Sequence, residues 1–297
     1  MSSVSPAPTP LPASVRLGEG SGGLTVVRVA GRAGSAEVYL HGAQVTEFTP
    51  AGGRPVLFLS EASRFEAAAA IRGGVPICFP WFGASTVDPA APAHGFARLS
   101  EWELVDAHES DDDVVLTFLL TDTPATRASA WPHRFEARYT VTVGARLSLA
   151  LQVTNRETDA ITYEEALHTY LQVSDVRGTT VSGLQGTAFL NQLTGLTEPA
   201  ENSPVGFAAE TDRLYPGSRG SATVADPDGR TVTIESDGSD STVVWNPWIG
   251  KSARMADFGD GEWTGMVCVE TANVRRDQVR LGAGESHTTT VVFEVSA

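Results

Sequence analysis

The chain has 297 residues, of which 41% are hydrophobic and 19% are charged, a composition typical of a soluble globular protein with a sizeable core. Its formal net charge is −15, from 21 Lys and Arg against 36 Asp and Glu. This charge argues against nucleic acid or an anionic membrane as a partner, although a local group of arginines can still bind a small anion. No apolar run reaches the length of a transmembrane helix, so no membrane partner is expected.

The beginning of the chain, MSSVSPAPTPLPAS, is rich in Pro, Ser and Ala and lacks the basic and apolar regions of a secretory signal. We therefore predict a disordered tail over residues 1–23 and a single domain over residues 24–297. Cys78 and Cys268 lie in apolar runs, and two cysteines are too few for a disulfide framework. Buried reduced thiols and a cytoplasmic location are expected, with a monomer as the default state.

From residue 24 onward, short β-branched or aromatic segments alternate with Gly, Pro, Asp and Asn, as strands alternate with turns. The segment RFEARYTVTVGARLSLALQVTN predicts a hairpin that turns at Gly144-Ala145. The nearest helix candidate is SEASRFEAAAAI, residues 60–71, after a Ser60 cap. No repeat or composition break divides the chain, so we predict an all-β fold, namely one large antiparallel β-sandwich.

Two predicted strands carry polar side chains that a simple core does not accommodate. Successive strand residues point to opposite faces, so in EEALHTYLQV, residues 164–173, His168 and Tyr170 share one face while Leu167 lies on the other. In GMVCVETANV, residues 265–274, Glu270 interrupts a strand that is otherwise apolar, and a buried carboxylate is costly unless paired. A structural ion pair with an arginine is the alternative explanation for Glu270.

Two loops carry further candidates. IRGGVPICFPWFG, residues 71–83, is too rich in Gly and Pro for regular structure, and Arg72 is its one charge. Trp81 in this loop is either a core residue or one wall of a sugar site, where aromatic rings stack on pyranose faces. In AHGFAR, residues 93–98, His94 and Arg98 flank a Gly-Phe turn, which by itself is a weak signal.

A metal site would be a competing use of His94, His168, Asp212 and Glu270. Asp212 lies in AAETDRLYPG, which is predicted to be a polar turn. These residues have no short-range ligand spacing such as H-x-x-x-H or H-x-H, so no metal site is predicted. The sequence also lacks a Gly-rich nucleotide loop and a G-x-S-x-G elbow, and no cofactor is expected.

Taken in order, the motifs resemble the aldose 1-epimerase (galactose mutarotase-like) superfamily, and most of all its glucose-6-phosphate 1-epimerase branch. They are RGGVPICFPWFG, HGFAR, ALHTYLQVSDV, VSGLQG, TDRLY, VVWNPW, KSARMADF and MVCVETANV, spread over residues 72–274. The resemblance implies a large β-supersandwich that interconverts the α and β anomers of a hexose 6-phosphate. Ala93 stands where some members carry Gln before the HGFAR histidine.

The resemblance also implies the catalytic roles. His168 matches the acid that protonates the sugar ring oxygen, and Glu270 matches the base that takes the proton of the anomeric hydroxyl. Opening a hemiacetal requires two groups of opposite protonation state, which an ionised Glu270 and a protonated His168 would supply.

Matching residues around the pair imply how the sugar is bound. Asp212 matches a ligand of substrate hydroxyls, His94 a supporting histidine, and Arg72 and Arg98 the phosphate-binding arginines. Paired charge-assisted hydrogen bonds to phosphate favour a phosphorylated substrate. Two alternatives stay open, an epimerase of unphosphorylated aldoses and a non-catalytic carbohydrate-binding protein.

Overall fold

The structure, a computed structural model, describes residues 10–296, which form β-strands, one short α-helix and single turns of 3-10 helix. The first strands are β1 Val15–Glu19, β2 Thr25–Ala30, β3 Gly34–Tyr39, β4 Gln44–Pro50, β5 Ile77–Cys78, β6 Glu103–Ser110, β7 Asp113–Thr121, β8 Phe135–Val143, β9 Leu147–Asn155, β10 Ile161–Tyr163, β11 Glu165–Leu167 and β12 Tyr170–Gln172. They are followed by β13 Thr180–Ser182, β14 Phe189–Asn191, β15 Leu196–Glu198, β16 Val205–Gly206, β17 Thr211–Pro216, β18 Ser221–Ala225, β19 Thr231–Asp237, β20 Ser241–Asn246, α1 Trp248–Ser252, β21 Met266–Asn273, β22 Val279–Leu281 and β23 Ser286–Ser296. The 3-10 turns are Ser21–Gly23, Ala97–Leu99, Thr126–Ala128, Val176–Gly178, Glu262–Gly265 and Arg275–Asp277.

Two large antiparallel sheets dominate the described fold. One has nine strands in the order β16-β13-β18-β19-β23-β9-β8-β7-β6. The other has eight, in the order β15-β14-β17-β20-β21-β11-β5 with β12 also paired to β21. A four-stranded sheet, β1-β2-β3-β4, and the pair β10-β22 complete it. The predicted all-β antiparallel sandwich is confirmed.

Alternating burial shows how the two large sheets share one core. Along β8 every second residue is buried, and the residues between are half-exposed. The inner residues of β8 and β9 join one apolar cluster with Leu167, Val267 and Val269 of the eight-stranded sheet. Strand β21 is buried along its whole length. The face of β21 opposite Val267 and Val269 is therefore also covered by other parts of the protein. This face carries Cys268 and Glu270.

A polar contact ties the two large sheets together beside the strand that leads to His168. The carboxylate of Glu165, in β11, accepts hydrogen bonds from the Thr289 hydroxyl in β23 and from the Asn273 amide in β21. All three side chains are buried. A buried carboxylate with such donors fixes the position of its strand, because the bonds are directional.

Two local predictions need correction. Strand β1 lies inside the segment predicted as a tail, where it pairs with β2 from Val15–Val29 to Glu19–Thr25. In β1 only Val15 is buried, so the strand rests on main-chain hydrogen bonds and shows no apolar alternation. The predicted boundary at residue 24 is therefore too late, and residues 1–9 lie outside the described residues.

Residues 60–71 form turns instead of the predicted helix. The Ser60 hydroxyl and the Glu61 N–H both donate to the Glu262 carboxylate, at 2.6 and 2.7 Å. A helix this short is marginal in water without a packed apolar stripe, and these side-chain bonds hold the segment in another conformation. The predicted hairpin is confirmed, since β8 and β9 are joined through residues 144–146.

Candidate active site

His168 and Glu270 lie opposite each other on neighbouring antiparallel strands. The flanking pairs, Leu167 with Thr271 and Tyr170 with Cys268, keep one register, which places His168 level with Glu270. The regular ladder is interrupted at His168, but the Val269 N–H still donates to the Thr169 carbonyl at 3.2 Å. Opposed residues of an antiparallel pair point to the same face, so the two side chains meet, with 3.4 Å between His168 Nε2 and Glu270 Oε1.

Neither side chain of the pair is fully satisfied by the protein. His168 is 7% exposed and Glu270 is 1% exposed. Within residues 10–296, His168 Nδ1 and Glu270 Oε2 are buried atoms without a hydrogen-bond partner. Buried polar atoms usually have partners, and a functional site is one of the places where they do not. The pair therefore keeps unused hydrogen-bonding capacity in its buried site.

Burial opposes charge on both members of the pair. It lowers the pKa of His168, and the nearby His94 and Arg98 lower it further. It raises the pKa of Glu270, helped by Asp212 and opposed by Arg98. If the pair holds one proton and this proton lies on the Glu270 carboxyl group, both side chains are neutral and no charge is buried. The ionised pair expected from the sequence is the other arrangement of the same proton.

Aromatic side chains fix the imidazole from two sides. The Tyr170 ring stacks on the His168 ring with 4.9 Å between centroids and 12° between planes. The Trp245 ring meets the same imidazole edge-on at 6.0 Å. Tyr170 and Trp245 both lie opposite Cys268, so they project from the same sheet face as the His–Glu pair. The alternation in 164–173 already placed Tyr170 on this face, whereas no role for Trp245 was predicted.

The loop around His94 brings a second imidazole to the site. The His94 ring lies 5.7 Å from the His168 ring, in an edge-to-face arrangement. His94 has a φ of 63°, and the next residue, Gly95, has a φ of 75°. A Cβ on Gly95 would approach the Phe79 carbonyl oxygen to 2.0 Å, so this turn requires glycine.

The tautomer and charge of His94 follow from its surroundings. Its Nδ1 accepts from the Gly83 N–H at 3.3 Å, with the Cys78 thiol 3.4 Å away. The proton of the neutral ring therefore lies on Nε2. Burial lowers the pKa of His94 to about 3, and Arg98 and Arg72 act in the same direction. His94 is thus a neutral donor at physiological pH.

Two arginines approach the pair by different routes. Arg98 donates to the Ala93 carbonyl at 2.8 Å, while its buried Nε has no partner within residues 10–296. Arg72 donates to the Tyr170 hydroxyl at 3.0 Å and to Asp257 at 2.9 and 3.2 Å. Both arginines lower the pKa of His168 through their charge, which places them within electrostatic reach of the imidazole.

Asp212 lies in strand β17, not in the predicted turn, because residues 211–216 pair regularly with β20. It stands opposite Trp245, so it shares the sheet face of the site. Gln192 donates to its Oδ1 at 2.6 Å. Burial raises the pKa of Asp212, and the Gln192 hydrogen bond opposes that rise. Within the described residues the side-chain hydrogen bond of Asp212 uses Oδ1 alone, which leaves Oδ2 as an acceptor for a polar ligand.

Trp81 makes its main contacts away from the His–Glu pair. Its indole N–H donates to the Pro92 carbonyl at 3.0 Å, and its ring packs edge-on against Phe96. It lines a cavity of about 340 Å³ together with Glu164 and Arg275. The role of Trp81 as a substrate contact stays a prediction. Cys78 and Cys268 are buried free thiols, as expected.

Residues 10–296 show neither a metal-ligand cluster nor a membrane-spanning helix. In this part of the chain, no group of three His, Cys, Asp or Glu side chains is placed to hold a metal ion. Within the same range, no helix has both the length and the apolar character needed to cross a membrane.

The fold and the paired imidazole and carboxylate together define a mutarotase-like β-sandwich enzyme. Comparison with known proteins agrees, since residues 25–294 match the aldose 1-epimerase family. The chain belongs to this family. It is an isomerase that interconverts the anomers of a small-molecule sugar.

Similar proteins are found in plants and bacteria. A protein of Cenchrus ciliaris, provisionally named a glucose-6-phosphate 1-epimerase, is 35% identical over 84% of this chain and 78% of its own length. An Escherichia coli protein of the same provisional name is 36% identical, over 82% of this chain and 81% of its own. The crystal structure of a provisionally assigned Salmonella typhimurium mutarotase has a TM-score of 0.85 and 31% identity, covering 92% of this chain and 90% of that one. These findings confirm the resemblance seen in the motifs.

Proposed function

We propose that the substrate is a hexose 6-phosphate, with glucose 6-phosphate as the reference compound, and that His168 and Glu270 exchange its anomers. The observation that carries the proposal is the buried pair in which two atoms, His168 Nδ1 and Glu270 Oε2, lack hydrogen-bond partners within the described residues. The provisional names of the Cenchrus ciliaris and Escherichia coli relatives, both glucose-6-phosphate 1-epimerases, support the same substrate. Cytoplasmic location and a monomeric state stay predictions from the sequence.

The reaction needs two proton transfers at one hemiacetal. The anomeric O–H gives its proton to one member of the pair, while the other member protonates the ring oxygen. The bond from C1 to the ring oxygen breaks, and C1 becomes an aldehyde. Rotation about C1–C2 presents the other carbonyl face, and the reverse transfers close the ring. General acid–base catalysis of this kind contributes about 10²–10⁴-fold.

The single proton of the pair suits this cycle. Ring opening starts from an ionised Glu270, the base, and a protonated His168, the acid. It ends with Glu270 protonated and His168 neutral. Closing the ring restores the first arrangement, so neither group needs to exchange protons with water. The neutral His94 contributes an N–H donor, and Asp212 contributes an acceptor for hydroxyl groups.

The arginines favour a phosphorylated sugar over a free one. A buried guanidinium nitrogen without a partner, as in Arg98, favours an anionic ligand, because desolvated charge is costly. Arg72 adds a second guanidinium on the Tyr170 side of the imidazole. A free aldose offers neither group a countercharge.

The test is anomer exchange measured by NMR saturation transfer, with glucose 6-phosphate and glucose in parallel samples. We expect catalytic amounts of the protein to accelerate exchange of the phosphate ester far more than that of glucose. Equal acceleration of both sugars would contradict the phosphate assignment while keeping the acid–base pair. A protein that accelerates neither would be a binding protein or act on another sugar.

A further inference from the structure

Asp257 makes a side-on contact with Arg72 that the catalytic chemistry does not require. Its Oδ2 accepts from Arg72 Nε at 3.2 Å and from Nη2 at 2.9 Å. The two side chains are each 22% exposed, so the pair lies at the rim of the site. They are 185 positions apart in the sequence, and only the fold brings them together.

The third guanidinium nitrogen is also held. Arg72 Nη1 donates to the Tyr170 hydroxyl at 3.0 Å, and Tyr170 is 1% exposed. A guanidinium has five N–H donors. Three are used by Asp257 and Tyr170, and two remain for a ligand. With all three nitrogens bonded, the plane of the guanidinium is fixed before any substrate arrives.

The charge of Asp257 acts against an anionic ligand, so its contribution to phosphate binding must be geometric. A phosphate dianion near Arg72 is repelled by the carboxylate, and this repulsion is only partly screened, because the two side chains are each 22% exposed. A pre-oriented arginine, by contrast, forms two parallel bonds to phosphate with little loss of side-chain entropy. Removing the Asp257 carboxylate therefore distinguishes the two effects. If phosphate binding weakens, the orientation of Arg72 outweighs the repulsion between Asp257 and phosphate.

We propose that Asp257 is a specificity-determining positioning residue, which holds Arg72 against Tyr170 so that the site selects a phosphorylated sugar. This inference rests on the proposed function. Asp257 touches no reacting atom and acts through Arg72. Its removal therefore weakens binding of the phosphate group and leaves the proton transfers at His168 and Glu270 in place.

The experiment compares Asp257→Ala and Asp257→Asn with the wild type in glucose 6-phosphate exchange and in titration with inorganic phosphate followed by ³¹P NMR. For Asp257→Ala we expect KM for glucose 6-phosphate and Kd for inorganic phosphate to rise about tenfold or more, with kcat within about threefold. The asparagine keeps an acceptor oxygen and should restore KM to within about threefold of wild type. Asp112→Asn, which alters an exposed ion pair with Arg32, is the matched control.

A double-mutant cycle separates positioning from a general structural effect. If Asp257 acts through Arg72, adding Asp257→Ala to Arg72→Ala causes no further rise in KM. Additive losses would overturn the proposal, as would an unchanged KM in Asp257→Ala or an equal loss in the asparagine variant. If the alanine variant does not fold, Asp257→Leu removes the acceptor while filling the space, and the same rise is expected.

Failure of the proposed function would look different. A wild-type protein that does not accelerate glucose 6-phosphate exchange would contradict the proposed substrate. The phosphate titration would still test the arginine clamp, because it needs no turnover. A wild type that is active on glucose 6-phosphate, with an alanine variant of unchanged KM and Kd, would contradict only the role of Asp257.

Discussion

The Tyr170 ring lies parallel to the His168 ring, with 12° between planes and 4.9 Å between centroids, while its hydroxyl accepts a hydrogen bond from Arg72. One buried side chain therefore contacts both the imidazole and the guanidinium. The two functions of Tyr170 lie on different atoms, the ring carbons and the hydroxyl oxygen. Substitution can separate them.

Tyr170→Phe keeps the stacked ring and removes the hydroxyl. We expect KM for glucose 6-phosphate to rise about threefold to tenfold, as for the loss of one ordinary hydrogen bond, with kcat little changed. Tyr170→Leu also removes the ring, and kcat should then fall about tenfold because the imidazole loses one wall. Steady-state kinetics of both variants measure the difference. Equal kcat values in Phe and Leu variants would argue against a role for the stack.

Arg98→Ala tests the phosphate assignment. Removing the Arg98 guanidinium should raise KM for glucose 6-phosphate about tenfold to a hundredfold, because a charge-assisted pair of bonds is lost. Exchange of free glucose, where it is measurable, should change by less than about threefold. Arg32→Ala, at an exposed arginine on the surface, is the control and should resemble wild type. An equal loss for both sugars would assign Arg98 a structural role instead.

The pH dependence of kcat follows from the two opposite pKa shifts. The active pair carries one proton. Because the pKa of His168 is lowered, a second proton is added only below the ordinary histidine value of about 6.5. Because the pKa of Glu270 is raised, the last proton leaves only above the ordinary value of about 4.3. We expect the acid limb of kcat to lie below pH of about 6.5 and the alkaline limb to lie well above the ordinary glutamate value.

The acid limb should be read from the pH dependence of kcat and not of KM. The phosphate group of the free substrate also ionises at a pH of about 6, and this ionisation affects KM. A series from pH of about 4.5 to 9 at saturating glucose 6-phosphate covers both limbs. An acid limb at or above the ordinary histidine value would mean that His168 gains its proton easily, against the effect of burial.

Burial of Glu270 should also reduce the stability of the fold. Folded Glu270 keeps its proton to a higher pH than the unfolded chain does, so stability falls as pH rises from the unfolded pKa through the folded one. Glu270→Gln removes this titration. We expect its Tm at neutral pH to equal or exceed that of wild type, as is common when a strained functional group is replaced. Calorimetry at neutral pH measures it, and a clearly lower Tm would show that the carboxylate is structural.

The sequence predicted the strands and the polar face of 164–173 because alternation is a local property of the chain. Leu167 and Leu171 do lie in the core, and His168 and Tyr170 do share the other face. The motifs predicted the family and its fold. The contact of Arg72 with Asp257 was not predicted, since it depends on how segments 185 positions apart are placed. Strand β1 was missed because only Val15 of it is buried.

The proposed function requires that His168 and Glu270 catalyse anomer exchange of glucose 6-phosphate as an acid–base pair. The measurement that tests it most directly is saturation-transfer NMR of glucose 6-phosphate with equal amounts of wild-type protein and folded Glu270→Gln. We expect fast exchange with the wild type and a rate lower by about 10²–10⁴-fold with the variant. A variant that retains near-full exchange activity would contradict the assignment of Glu270 and, with it, the proposed mechanism.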